Sequence, residues 1–131
     1  MRPILLVFWM FFCCGIAHAD VPTEKAVLAI IGEAENQGYS GMLAVAEAIR
    51  NKGNLRQVFG ATSKRVLYRR YSQATYNMAL LAWQNSKHTN TVGKADVWGN
   101  KSDIIKFSRQ KWFKKYKLVK RIKDHYFYME V

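Results

Sequence analysis

Nine acidic residues follow position 19: Asp20, Glu24, Glu33, Glu35, Glu47, Asp96, Asp103, Asp124 and Glu130. Most have an ordinary explanation. Glu24 falls in a first helical turn, where a negative charge faces the positive end of the helix dipole, and Glu47 stands three residues before Arg50, at the spacing of a helical ion pair. Glu33 is different. It follows Ala29 by four residues and Ile30 by three, in an almost wholly apolar run, so it is tied to the face that the run buries. A carboxyl in apolar surroundings favours its neutral form, and a neutral carboxylic acid is what protonating a glycosidic oxygen requires. The plainer reading, a glutamate at a helix end whose head reaches water, stays open beside it on these residues alone. Other chemistries find no support: there is no Gly-rich phosphate loop, no cysteine after Cys14, and His88 and His125 lack a metal-ligand pattern. Neither a cofactor nor a metal is expected, and His125 in "DHYFY" reads more readily as a packed or hydrogen-bonded histidine than as a base.

The elements that must hold Glu33 can be read from periodicity. Thr23 precedes the apolar run from Glu24 to Ala34, which predicts an N-capped helix buried on most sides and ending near Glu33. Asn36, Gln37 and Gly38 make a turn, and Ser40 is placed to cap a second helix through Asn51, with Met42, Val45, Ala46 and Ile49 at helical spacing and Gly53 and Asn54 ending it. Gly60 to Lys64 reads as a polar loop, and Gln73 to Ser86 as a third helix with Tyr76, Ala79, Leu80 and Trp83 on its core face. From His88 the texture changes, and helical order is expected to stop. Ala95 to Trp98 is a short strand candidate, and the β-branched and aromatic tail "LVKRIKDHYFYMEV" predicts a closing strand. The sum is an α+β domain, a helix-rich core with a small antiparallel sheet.

Composition sets the compartment and the partners. Arg2, the 14 apolar residues from Ile4 to Ala17, and the small-x-small run Ala17-His18-Ala19 form a secretion signal over residues 1–19, too short to span a membrane comfortably. Cys13 and Cys14 lie inside it, and the residues ahead of them lack the small side chain expected before a lipid-modified cysteine. Cleavage leaves residues 20–131 as one domain, large enough to bury a core without disulfides, in a secreted or periplasmic bacterial protein. Without Arg2 the 21 Lys and Arg become 20, against 9 Asp and Glu, a net charge of +11 that concentrates anionic partners. Ten basic residues and one acid, Asp103, lie between Lys101 and Lys123 among Phe107, Trp112, Phe113 and Tyr116. Cations interleaved with rings also suit a nucleic-acid groove or a solubilising face, but export argues against nucleic acid as the partner.

From Ala26 to Tyr128 the chain resembles the SleB-like cell wall hydrolase family, whose founding members are spore cortex-lytic enzymes. The family block E-A-x-G-E-x-Y-x-G-x-x-A-V-A, with an N-R pair some residues later, is matched by Glu33-Ala34, Tyr39, Gly41, Ala44-Val45-Ala46 and Asn51-Lys52. Three weaker blocks follow in order: "VLYRRYS" from Val66 to Ser72, "GKADVWGN", and "RIKDHYFY". The resemblance implies a lysozyme-like fold, and cleavage of peptidoglycan glycan strands between N-acetylmuramic acid and N-acetylglucosamine. It makes Glu33 the one catalytic residue of a lytic transglycosylase. A single acid suffices there because the muramyl 6-hydroxyl serves as nucleophile, whereas a lysozyme-type hydrolase ordinarily needs a second carboxylate about 5 to 10 Å away. The chain departs from the family at Gln37, where a second glutamate is usual, at Lys123, where glycine is usual, and at Lys94, which interrupts a Gly-Ala pair. Gln37 cannot take a proton, so a peptidoglycan-binding domain without catalysis is the alternative.

Rings would line a sugar cleft. Trp98, Tyr39 and Tyr128 are the aromatic candidates for substrate binding, and Ser72, Asn100 and His125 the polar ones, although each also suits a core, turn or cap role. A monomer is expected, with membrane contact only through an uncleaved signal.

Overall fold

The computed structural model describes residues 21–131. The expected signal over residues 1–19, both cysteines and Asp20 lie outside the described residues.

Helix α1 (Thr23–Ala34) is the central element, packed on two other long helices and on a turn at Gly60–Thr62. Ala26, Val27, Ala29, Ile30, Ile31 and Ala34 are all fully buried, which is why the run is apolar nearly all round. Thr23 is not its cap. The residue before the helix is Pro22, whose carbonyl accepts the Ala26 N–H at 3.0 Å, and no side chain caps the end. After a 3₁₀ turn at Glu35–Gln37, helix α2 (Gly38–Lys52) starts two residues before Ser40, so Ser40 lies inside it. It ends as expected at Gly53, left-handed at φ 78°, with its N–H bonded to the Ile49 carbonyl at 2.9 Å.

Glu47 and Arg50, expected as a helical pair, each have partners far along the chain. Glu47 is buried and accepts from the Thr89 and Thr91 hydroxyls at 2.6 and 2.7 Å and from the Val92 N–H at 3.1 Å, anchoring the loop that leads into the sheet. Arg50 lies over the Trp83 ring and donates to Ser86 Oγ and the Trp83 carbonyl. Part of the expected loop after Phe59 is helical: the Gly60–Thr62 turn leads to a short helix α3 (Lys64–Leu67), capped by Ser63. Helix α4 (Gln73–Asn85) is capped by Ser72, whose hydroxyl accepts the Thr75 N–H at 3.0 Å.

Beyond His88 helical order does not stop. Strand β1 (Val97–Gly99) runs into helix α5 (Lys101–Phe107), held by a capping box between Asn100 and Asp103, and a 3₁₀ turn at Lys111–Lys115 follows. The tail is a hairpin: β2 (Tyr116–Ile122) and β3 (His125–Glu130) pair antiparallel, and β3 also pairs with β1, giving the order β1-β3-β2. The fold is therefore helix-rich α+β with a three-stranded antiparallel sheet. Phe127, fully buried and paired in register with Trp98, joins the sheet to the helical core. Among the described residues no helix is long and apolar enough to cross a membrane.

Candidate active site

Glu33 stands in the last turn of α1, beside a backbone-to-backbone contact that glycine makes feasible. A Cβ on Gly32 would lie 1.9 Å from the Gly60 carbonyl oxygen, and one on Gly60 would lie 2.4 Å from the Ala29 carbonyl oxygen and 2.8 Å from Glu33 Cγ. With hydrogens at both positions, the Phe59–Gly60 segment crosses directly against the glutamate. From the sheet side, Trp98 of β1 donates its indole N–H to Glu33 Oε1 at 2.9 Å.

These groups line a cleft of about 410 Å³. Its charged lining is Glu33, Asp96 and Asp103 against one cation, Lys52, and its rings are Phe59, Trp98, Phe107 and Trp112. The Glu33 carboxyl is pushed above its ordinary range, first by burial and also by the nearby negative charge of Asp103. The indole N–H of Trp98 and a backbone hydrogen bond from Gly60 oppose the shift, because both favour the carboxylate. The site thus favours a neutral acid and already supplies donors for the anion that remains once the proton has left. The other two carboxylates differ in their surroundings. Asp103 accepts the Asn100 N–H at 3.1 Å within the capping box. Asp96 has one buried oxygen without a hydrogen-bond partner; burial raises its pKa, and Lys52 works in the opposite direction.

Among the residues proposed from sequence, the structure brings Trp98, a residue only 9% exposed, to Glu33. The others do not line the cleft. Tyr39 packs on the core and its hydroxyl accepts from Asn85 Nδ2 at 2.7 Å. Tyr128 lies in β3 with its ring 4.8 Å from that of Phe113. Ser72 and Asn100 are helix caps. His125 is buried beside Phe127, with its pKa lowered by burial against the raising effect of Asp103 and Asp124.

The departures from the family block also find places. Gln37 is buried away from the cleft: its Oε1 accepts the Asp124 N–H at 2.9 Å and its Nε2 donates to Asp124 Oδ2 at 3.2 Å, which ties the start of α2 to the β2–β3 turn. Asn51 donates to the Gly93 and Ala95 carbonyls at 2.9 and 2.8 Å, so the exposed Lys94 sits in a loop clamped on either side. The neighbouring Lys52 reaches the cleft. Lys123 takes the left-handed conformation at φ 53°, the first position of a two-residue hairpin turn, where glycine is favoured.

Sequence reasoning missed Phe59, Phe107, Trp112, Lys52, Asp96 and Asp103 as cleft residues. For Asp96 a signal existed: it lies two residues before Trp98, and side chains two apart on a strand share a face. Its N–H continues the ladder by donating to the Tyr128 carbonyl at 3.0 Å. Phe59 and Trp112 come from segments far apart in sequence, and no local pattern joins them to Glu33. No family model, curated protein or solved structure matches the chain.

Proposed function

We propose that the protein cleaves the glycan strand of peptidoglycan between N-acetylmuramic acid and N-acetylglucosamine as a SleB-like, lysozyme-like lytic transglycosylase, exported to the periplasm or beyond. The observation that carries this reading is Glu33, a carboxyl shifted toward its neutral form in a ring-lined cleft, hydrogen-bonded by Trp98. As the bond between C1 and the glycosidic oxygen breaks, protonated Glu33 gives its proton to the departing oxygen. The muramyl 6-hydroxyl closes on C1 and returns its proton to the Glu33 carboxylate, which restores the acid and leaves a 1,6-anhydro end. The indole N–H of Trp98 supports the carboxylate during the interval between the two transfers.

Gln37 does not count against catalysis, because its place in the fold is a structural bridge to Asp124 and it does not line the cleft. A hydrolytic reading has one observation on its side: Asp96 and Asp103 line the same cleft as Glu33, and a second carboxylate is what activating water requires. Incubating sacculi with the purified protein and with its Glu33→Gln variant, then identifying the fragments by mass spectrometry, separates the readings. Anhydro-muramyl ends from the parent alone are expected. Reducing ends would replace transglycosylation by hydrolysis, and intact sacculi with bound protein would leave only a binding domain.

A further inference from the structure

Two large rings stand out on the cleft: Phe59 is 68% exposed and Trp112 is 42% exposed. Single exposed rings are common on protein surfaces and need no explanation. These two come from distant segments and converge on the cavity that holds Glu33. Trp112 is also fixed in place. Its ring meets Phe113 edge-on at 5.5 Å, Tyr116 edge-on at 5.5 Å and Phe107 at a tilt at 5.6 Å, so it is exposed without being free to fold away.

The charges around the cleft are sorted by depth of function. Beside Glu33 the lining carries two more carboxylates, Asp96 and Asp103, and one lysine, Lys52. The turn that bears Trp112 carries Lys111, Lys114 and Lys115, all exposed, and of these only Lys115 is ion-paired among the described residues, to Glu130 at 3.9 Å. A nucleic-acid strand would bring a phosphate at every nucleotide past Asp96 and Asp103. A polysaccharide with uncharged pyranose rings and carboxylates on its side groups fits both zones, with neutral rings at the acids and anionic groups at the lysines.

We propose that Phe59 and Trp112 are stacking platforms for successive pyranose rings of such a glycan, and that the lysines of the Trp112 turn select strands with carboxylate-bearing side groups over neutral ones. This rests on the glycan-cleaving reading of the same cleft and adds its substrate grip. Flat rings pack on the C–H faces of sugars and lose area when truncated. The lysines act through solvent-exposed charge, which salt screens over roughly 8 Å at physiological ionic strength.

The test measures equilibrium binding in the Glu33→Gln background, so that no ligand is consumed, with three probes: soluble uncrosslinked peptidoglycan strands, neutral chitin oligosaccharides and single-stranded DNA. Phe59→Ala and Trp112→Leu should each weaken peptidoglycan binding about tenfold, near 1.4 kcal/mol, while Trp112→Phe should keep most of it. Added salt should weaken binding to peptidoglycan and leave chitin binding unchanged. Phe59→Ala is the variant that keeps the test sound if Trp112→Leu fails to fold, since Phe59 is the most exposed of the cleft rings, and melting curves check both. Undiminished binding in Phe59→Ala and Trp112→Leu overturns the platforms, and anhydro-muramyl release by the parent would still leave the Glu33 reading standing. DNA held more tightly than glycan through the same two rings overturns the ligand class. No glycan binding and no cleavage by the parent overturns both proposals.

Discussion

The wall of the cleft that carries Glu33 and the wall that carries Trp112 are built differently. Ala29, Ile30, Ile31 and Ala34, which surround Glu33 on α1, have no exposed surface, and the Gly32–Gly60 contact leaves no room even for a methyl group. Helix α5 and the Lys111–Lys115 turn bury no residue at all, and are held by a capping box and by contacts among Phe107, Trp112, Phe113 and Tyr116. A proton-transfer group must be positioned to a fraction of an ångström and insulated from water, which close packing provides. A surface that grips a long polymer needs rings and charge, and these can stand on a segment with little core of its own.

The sharpest way to break this comparison is to perturb each wall in turn by a single substitution. Gly32→Ala places a methyl on the Gly60 carbonyl, against backbone that cannot swing aside, and should destabilise the fold by about 3 kcal/mol or more. Lys106→Ala and Lys111→Ala, both on exposed positions of the other wall, should stay within about 0.5 kcal/mol of the parent. Denaturant unfolding of the three variants gives the numbers. Equal losses on both walls would mean that the packed wall is not the rigid one.

The same contrast explains what the sequence revealed. Apolar periodicity in α1, α2 and α4 follows directly from burial, so those helices and the buried side of Glu33 were legible. Local hydrogen-bond competition was less so: Thr23 and Ser40 look like caps, but Pro22 and the Glu35–Gln37 turn start the helices instead. Glu47 and Arg50 sit at ion-pair spacing, and that spacing gave no sign of the long-range partners that also hold them. Helix α5 was missed because it is short and buries no residue fully: Ile104 and Phe107 are only half-buried, which leaves its capping box as the clearest signal. Of the rings named from sequence, Trp98 reaches the cleft and Tyr39 and Tyr128 do not, whereas Phe59, Phe107 and Trp112 are brought there by tertiary approach alone.

Gln37→Glu tests whether the packed wall extends to the link between α2 and the β2–β3 turn. The substitution keeps the acceptor for the Asp124 N–H but replaces the donor to Asp124 Oδ2 by a second carboxylate at a buried site. A loss of about 1–3 kcal/mol at neutral pH is expected. Two facing carboxylates bind a proton more tightly in the folded state than in the unfolded chain, so the penalty should fade as pH falls through the carboxylate range and grow as pH rises. Stability measured against pH reports this directly. A gain in glycan cleavage by Gln37→Glu would instead assign catalysis to that position and sink the structural account.

Trp98→Phe probes the junction of the two walls, keeping an aromatic ring while removing the indole N–H together with part of the side-chain volume. The indole N–H favours the Glu33 carboxylate, so its loss should raise the Glu33 pKa further above its ordinary value of 4.5. On the proposed mechanism the acid acts in its protonated form, so the alkaline limb of the pH and rate profile should move to higher pH, even as the rate falls through loss of support for the anion. An alkaline limb that moves downward, or does not move, would separate Trp98 from the proton transfer.

The smallest effect belongs to the far end of the basic segment. Lys123 occupies a left-handed position at φ 53°, at the turn whose other residue, Asp124, is held by Gln37. A side chain there costs about 1–2 kcal/mol of backbone strain, and glycine would relieve it while losing about 0.5–1 kcal/mol through greater freedom in the unfolded chain. Lys123→Gly should therefore gain up to about 1 kcal/mol, read as a modest rise in melting temperature. Its cation would be lost, but Lys123 does not line the cleft, so binding of glycan strands should change far less than in Trp112→Leu. If Lys123→Gly weakened glycan binding as much as Trp112→Leu, diffuse positive charge would be the grip, and the division between a ring-bearing wall and the remaining basic surface would fail.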